Sequence, residues 1–284
     1  MRSKIRGWRS IAASLAAVIA LGTVTVSPAL AVTNGTLDGT GHPFVGLMVA
    51  QDENGVPLWR CSGTLMSSTI YLTAGHCTEA PAAHMEIWFD SGPIPRAAGF
   101  PAAGSNPCAG IVGYPCTGDV GGTPSTHPQY DPNAFFRHDL GVVVLDRPMA
   151  RSAYGELPDL NQLDGLQPGR KTTFTAVGYG LQKSFPDAAG WKDQAIRVRM
   201  VAHPWLLQVD KGIVSDDSLL LSNNTRSGGT CFGDSGGPNF IDTSNVLAGV
   251  TSFGLNPTCA GTGGVYRVDT ADDLDWLATF GLSN

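Results

Sequence analysis

From residue 32 onward, this chain breaks its apolar residues into short runs and closes them with glycine, proline or small polar residues. Runs this short fit strands better than helices, and their recurrence points to a β-sandwich or β-barrel. The predicted strands are Val45–Ala50, Gly63–Met66, Ile70–Thr73, Met85–Phe89, Leu140–Leu145, Thr172–Gly178, Ile196–Val201, Leu219–Leu221, Leu247–Ser252 and Gly264–Arg267. The 36 glycines and 19 prolines supply the turns between them. The end of the chain is different. Thr270-Ala-Asp-Asp273 has capping-box spacing, Leu274, Leu277 and Ala278 recur on one helical face, and Gly281 supplies a stop. Those signals predict a C-terminal packing helix.

Two segments fall outside this pattern. Arg2, Lys4, Arg6 and Arg9 precede an apolar run from Ile11 to about Val26, and Ala29-Leu30-Ala31 is an A-x-A cleavage signal. Residues 1–31 therefore read as a secretory signal peptide, with a mature chain from Val32. Gly99 to Phe135 is rich in Gly, Pro, Ser and Thr, and reads as a surface insertion. The net charge of −6 becomes more negative once the basic leader is removed. Such a balance argues against nucleic acid or an anionic membrane as partner.

An even count of six cysteines agrees with export. Sequence alone does not choose among the possible pairings, although local spacing suggests Cys61–Cys77, Cys108–Cys116 and Cys231–Cys259. The chain has no C-x-x-C pair, its histidines are scattered, and it has no EF-hand-like loop, so no metal and no cofactor are implied.

Three polar segments carry the chemistry. Gly233-Asp-Ser-Gly-Gly-Pro238 sets Ser235 in a glycine-rich turn. There a side chain and the amides of Gly233 and Ser235 could face one point and hold an oxyanion. His76 follows the small-residue turn Ala74-Gly75 after a predicted strand, beside Cys77. An imidazole there could take the proton that makes a serine hydroxyl nucleophilic. Asp139 heads a predicted buried strand, where a carboxylate needs a partner and could orient that imidazole. His42, His84, His127 and His203 have no comparable setting. His138 adjoins Asp139, but neighbours on a strand face opposite ways. Asp131 and Asp146 are rival acids in turn-like contexts.

With these residues the chain resembles the chymotrypsin/trypsin-like serine peptidases over nearly all of Val32 to Gly281. Thr73-Ala-Gly-His-Cys77 is similar to the family's histidine motif, His138-Asp-Leu-Gly-Val142 to its aspartate motif, and Gly233 to Pro238 to its serine motif. Cys61–Cys77 and Cys231–Cys259 match two of its common disulfides. The resemblance implies an all-β fold of two six-stranded antiparallel β-barrels with a C-terminal helix. Residues 32–155 would form the first barrel, with an insertion at about 99–135, and residues 156–284 the second barrel and the helix. The cleft between them would hold His76, Asp139 and Ser235. The family also implies a freed N-terminus, here Val32, that ion-pairs with the acid before the serine, Asp234. The start Val32-Thr-Asn-Gly35 is loosely similar to the family's Ile-Val-Gly-Gly. His76 and Asp139 stand further apart than is usual, which the insertion accounts for.

The implied substrate pocket comprises Gly229, Thr230, Ser252, Phe253, Gly254 and Gly264. Gly229 stands where an acid would select basic residues, so the expected preference is a large uncharged side chain before the scissile bond. The reading is a secreted, monomeric serine endopeptidase acting on polypeptides. A catalytically silent, protease-like binding protein is one alternative, but no triad residue is lost. A serine esterase is another, since Gly233-Asp-Ser-Gly-Gly237 also matches G-x-S-x-G. That fold places its histidine after the serine, and no histidine follows Ser235.

Overall fold

The computed structural model describes residues 32–182, 196–209 and 217–283. The predicted signal peptide, residues 1–31, lies outside the described residues. The strands are β1 (Thr36–Leu37), β2 (Val45–Gln51), β3 (Pro57–Leu65), β4 (Ile70–Thr73), β5 (His84–Trp88), β6 (Val120–Thr126), β7 (Gly141–Leu145), β8 (Gly169–Gly178), β9 (Met200–Ala202), β10 (Trp205–Val209), β11 (Ser218–Asn223), β12 (Pro238–Ile241), β13 (Leu247–Gly254) and β14 (Gly261–Arg267). Among the described residues the α-helices are α1 (Gly75–Thr78) and α2 (Ala271–Ala278), with a short 3-10 turn at Pro132–Ala134.

Six strands close an antiparallel barrel in the order β2-β3-β4-β7-β6-β5, with β5 returning to β2. A second antiparallel ring runs β8-β10-β11-β14-β13-β12 and closes where Asn239 and Phe240 of β12 pair with Ala176 and Thr175 of β8. The expected two-barrel architecture is therefore present. β2 shows why its run is apolar on both faces. Val45, Met48 and Ala50 enter the main core, whereas Leu47 and Val49 pack outward with Trp88 and Tyr179. From Leu47 to Ala50 that alternation is the period of a strand with two covered sides, and Val45 departs from it.

Segments of the predicted pattern differ. Val120–Thr126 is not part of a surface insertion, because β6 pairs with both β5 and β7 inside the first barrel. Its Gly121, Gly122 and Pro124 hide the strand in the sequence. At Gly122 a Cβ would lie 2.6 Å from Val143 Cγ1, so close strand packing requires glycine there. The strand predicted at Ile196–Val201 starts only at Met200. The preceding Arg199 turns inward instead, donating to Asp38, to the Gly39 carbonyl and to the Phe89 carbonyl. The predicted C-terminal helix is α2, and Leu277 is buried in the main core, while Ala278 is exposed. Thr270 caps it indirectly. Its hydroxyl donates to the Asp272 and Asp273 carboxylates rather than accepting from a backbone amide.

Candidate active site

The end of β4 places His76. Thr73 closes the strand, Ala74 is extended, and α1 begins at once. A Cβ on Gly75 would lie 3.0 Å from Tyr130 Cδ2 and 3.1 Å from the Leu140 nitrogen, so this glycine lets the start of β7 come alongside. Gly141 acts the same way, with a Cβ position 2.6 Å from the Ala74 oxygen. The Cys61–Cys77 disulfide ties the turn to β3 across a sequence separation of 16. A bridge closing a loop of this size contributes about 3 kcal/mol. Cys108–Cys116 and Cys231–Cys259 are the other disulfides, and no cysteine is free.

Asp139 is fully buried and accepts three kinds of donor. The His76 backbone N–H reaches Oδ1 at 2.9 Å, His76 Nδ1 reaches Oδ2 at 2.9 Å, and the Ser252 hydroxyl donates to Oδ2 at 2.5 Å. A buried carboxylate that accepts these hydrogen bonds fixes the orientation of the ring it faces. Burial works against a charged His76, but the Asp139 carboxylate outweighs it and raises the imidazole above its ordinary pKa.

Ser235 sits in a turn that glycine makes possible. Gly233 has φ +93° and Gly236 has φ +74°, both in the left-handed region. A Cβ on Gly236 would lie 1.9 Å from Thr73 Oγ1, so the turn presses directly against β4 of the first barrel. The Ser62 N–H donates to the Ser235 carbonyl at 2.8 Å, and the Ser62 hydroxyl donates to the Gly233 carbonyl at 2.9 Å. The N–H groups of Asp234, Gly236 and Gly237 are consumed by the Cys231, Thr251 and Asp234 carbonyls. Those of Gly233 and Ser235 meet no acceptor among the described residues. Ser235 and His76 line one cavity, and no hydrogen bond joins them.

Asp234 is fully buried and accepts from the N–H groups of Gly180 at 2.7 Å and Cys231 at 2.9 Å. Burial pushes its carboxyl up to about 7, against the pull of those bonds and of Arg60. Val32 is also buried, packing with Val198, Met200 and Ala202, and the next residue, Thr33, bridges to Gly229.

A cavity of about 200 Å³ opens beside Ser235, lined by Thr230, Ser252, Phe253 and Gly254 among others and, among the described residues, by no acidic side chain. Gly229 and Gly264 do not line it. Asn223 covers Gly229, where a Cβ would lie 2.3 Å from Asn223 Cγ. The Phe253 ring fills the space over Gly264, 2.2 Å from its Cβ position. Gly264 is thus covered by an aromatic ring rather than exposed to the cavity.

His138 points elsewhere. Its φ of +49° turns it to stack on His127 and to face Asp272 at 3.2 Å. His127, His138 and Asp272 bring possible ligand atoms within 4.8 Å of one another. However, the two rings lie parallel, 9° apart, so their in-plane lone pairs do not converge on one ion. His127 Nδ1 also accepts from the Gln129 N–H. Sequence reasoning missed the Ser252 contact to Asp139 and the role of Ser62, since lone serines on strands carry no local signal.

An acid–imidazole couple on one closed barrel, facing a glycine-flanked serine from a second, defines the chymotrypsin-like class. A family model described as Trypsin matches residues 40–277, and the chain belongs to that family. It is similar to a CLIP domain-containing serine protease B14 of Anopheles gambiae, at 28% identity over 83% of this chain and 68% of that protein. It is also similar to a chymotrypsin of Phaedon cochleariae, at 28% identity over 89% of this chain and 83% of that one. Among solved structures, HL collagenase matches with a TM-score of 0.64 at 19% identity, over 89% of this chain and 100% of that one. Human heparin binding protein matches with a TM-score of 0.57 at 21% identity, over 84% of this chain and 91% of that one. Among the described residues, no helix is long and apolar enough to cross a membrane.

Proposed function

We propose that this chain is a secreted serine endopeptidase that cleaves polypeptides through an acyl-enzyme. The observation that carries the reading is that His76, held by Asp139 at 2.9 Å, lines the same cavity as Ser235. Ser235 Oγ attacks the scissile carbonyl carbon as His76 removes its proton. The carbonyl oxygen becomes an oxyanion, and the unclaimed N–H groups of Gly233 and Ser235 receive it. His76 then gives its proton to the leaving amine, which departs and leaves an ester on Ser235. Water, deprotonated by His76, hydrolyses that ester and regenerates the hydroxyl. Asp139 orients the ring and stabilises the imidazolium that forms. A serine and histidine without a mutual hydrogen bond before substrate binds are compatible with this role, because such bonds tighten in the Michaelis complex.

The neutral cavity of Thr230, Ser252, Phe253 and Gly254 takes the side chain before the scissile bond. An apolar residue there gains about 1–3 kcal/mol. Residues 1–31 direct export. Cleavage after Ala31 frees the Val32 ammonium for the buried Asp234 carboxylate, and the bridge of Thr33 to Gly229 supports a start anchored in this place. Cleavage-site profiling on a peptide library tests activity and pocket together. Cuts after Phe, Tyr, Leu or Met are expected. Cuts confined to positions after Arg or Lys contradict the pocket assignment, and no cleavage of any peptide contradicts the peptidase reading.

A further inference from the structure

Two cavities meet at Ser235 and Phe232. One is the neutral pocket described above. The other, about 500 Å³, is lined by His76 and Gly233 together with Leu58, Trp59 and Arg60 of β3. The chemistry orients a substrate between them. His76 gives its proton to the leaving nitrogen, so the leaving half of the substrate lies on the His76 side. The residues after the scissile bond therefore enter the cavity that holds Arg60.

Arg60 is available there. A Cβ on Gly233 would lie 3.3 Å from Arg60 Nε and 3.4 Å from its Nη2, so the guanidinium lies over the bare glycine beside the nucleophile. Its side chain has no ion pair and no hydrogen bond among the described residues. The nearby Asp234 carboxylate is buried and already held by two backbone N–H groups. Cations also gather here against the chain's net charge of −6. Arg197 lies close enough to feel both Arg60 and Arg96, while its own ring contact is with Tyr114 at 4.4 Å. A guanidinium without a partner, at the wall of a cleft, matches a carboxylate in both charge and geometry.

We propose that the cleft on the His76 side of Ser235 selects substrates with a carboxylate in the first two residues after the scissile bond, and that Arg60 binds it. This rests on the serine-endopeptidase reading above. The carboxylate has two possible sources, an Asp or Glu side chain and the free C-terminus of a short substrate.

Fluorogenic peptides with one fixed apolar residue before the scissile bond test the proposal. Asp, Glu, Ala or Lys is placed at the first or second position after the bond, with amidated C-termini, and the Ala peptide is also made as the free acid. The acidic peptides should exceed the Lys peptides in kcat/KM by about tenfold at low salt, and the advantage should shrink as salt is added. A gain for the free acid over its amide assigns the site to a chain terminus, and a gain for Asp and Glu in amidated peptides assigns it to a side chain. Arg60→Gln should bring the acid-to-Lys ratio toward one, and Arg60→Glu should invert it. Each ratio is measured within one preparation, so a change in folded fraction cancels. Equal cleavage of all the peptides, or an acid preference that survives Arg60→Glu, overturns the proposal while leaving the peptidase reading intact. A protein that cleaves none of them loses both.

Discussion

If Val32 pairs with Asp234 as proposed, the buried carboxylate of Asp234 makes stability depend on whether the chain starts at Val32. Burial holds the Asp234 carboxyl at about 7, against an ordinary value of 3.8. Below pH 3.8 the group is protonated whether the chain is folded or not, and no penalty arises. Between 3.8 and 7 the unfolded chain releases its proton while the folded chain keeps it, so stability falls as pH rises. Above 7 the loss is complete. A shift of this size at about 1.4 kcal/mol per pH unit corresponds to about 4 kcal/mol. In the proposed processed form, starting at Val32, an ammonium would pair with the carboxylate, lower its pKa and remove most of that loss. The assay is urea unfolding between pH 4 and 8 on two forms, one starting at Val32 and one carrying an extra residue before it. The extended form should lose about 4 kcal/mol relative to the processed form between pH 4 and pH 8, and should be weakly active. Asp234→Asn in the extended form should flatten its pH dependence. Equal pH profiles for the two forms, together with full activity in the extended one, refute the pairing of Val32 with Asp234.

Other outcomes follow from the same contacts. Because hydrolysis needs a neutral His76 and Asp139 raises its pKa, kcat/KM should climb with pH through a midpoint above 6.5, read from a pH–rate profile. Ser252→Ala removes a donor from Asp139, so it should lower kcat/KM by about tenfold and move that midpoint upward. His76→Ala should abolish turnover, whereas His138→Ala should leave most of it, since His138 faces Asp272. Steady-state kinetics on one peptide ranks the two, and the reverse order contradicts His76 as the base.

The catalytic candidates were legible because each stands in a dense local string, such as Gly233 to Pro238, whose glycines are required by positive φ and close packing. The barrels were legible where apolar runs are continuous, as in β2 and β7. They were not legible in β6, where glycines and a proline serve close packing and read as loop. β12 was hidden in a similar way, since it begins at Pro238 inside the serine string. The pocket was legible in Thr230, Ser252, Phe253 and Gly254 but not at Gly229 and Gly264, which Asn223 and Phe253 cover. That Phe253 covers Gly264 depends on a register shift between Thr251 and Phe253, which no local pattern encodes. The Ser252–Asp139 bond joins residues 113 apart in sequence and arises only from the docking of two barrels.

The central claim is that Ser235 is a nucleophile activated by His76. The most direct measurement is labelling of the processed protein with a fluorophosphonate, followed by peptide mapping. A single adduct on Ser235 is expected, absent in Ser235→Ala and strongly slowed in His76→Ala, with peptide hydrolysis lost in step. An adduct on another residue, or hydrolysis undiminished in Ser235→Ala, contradicts the account.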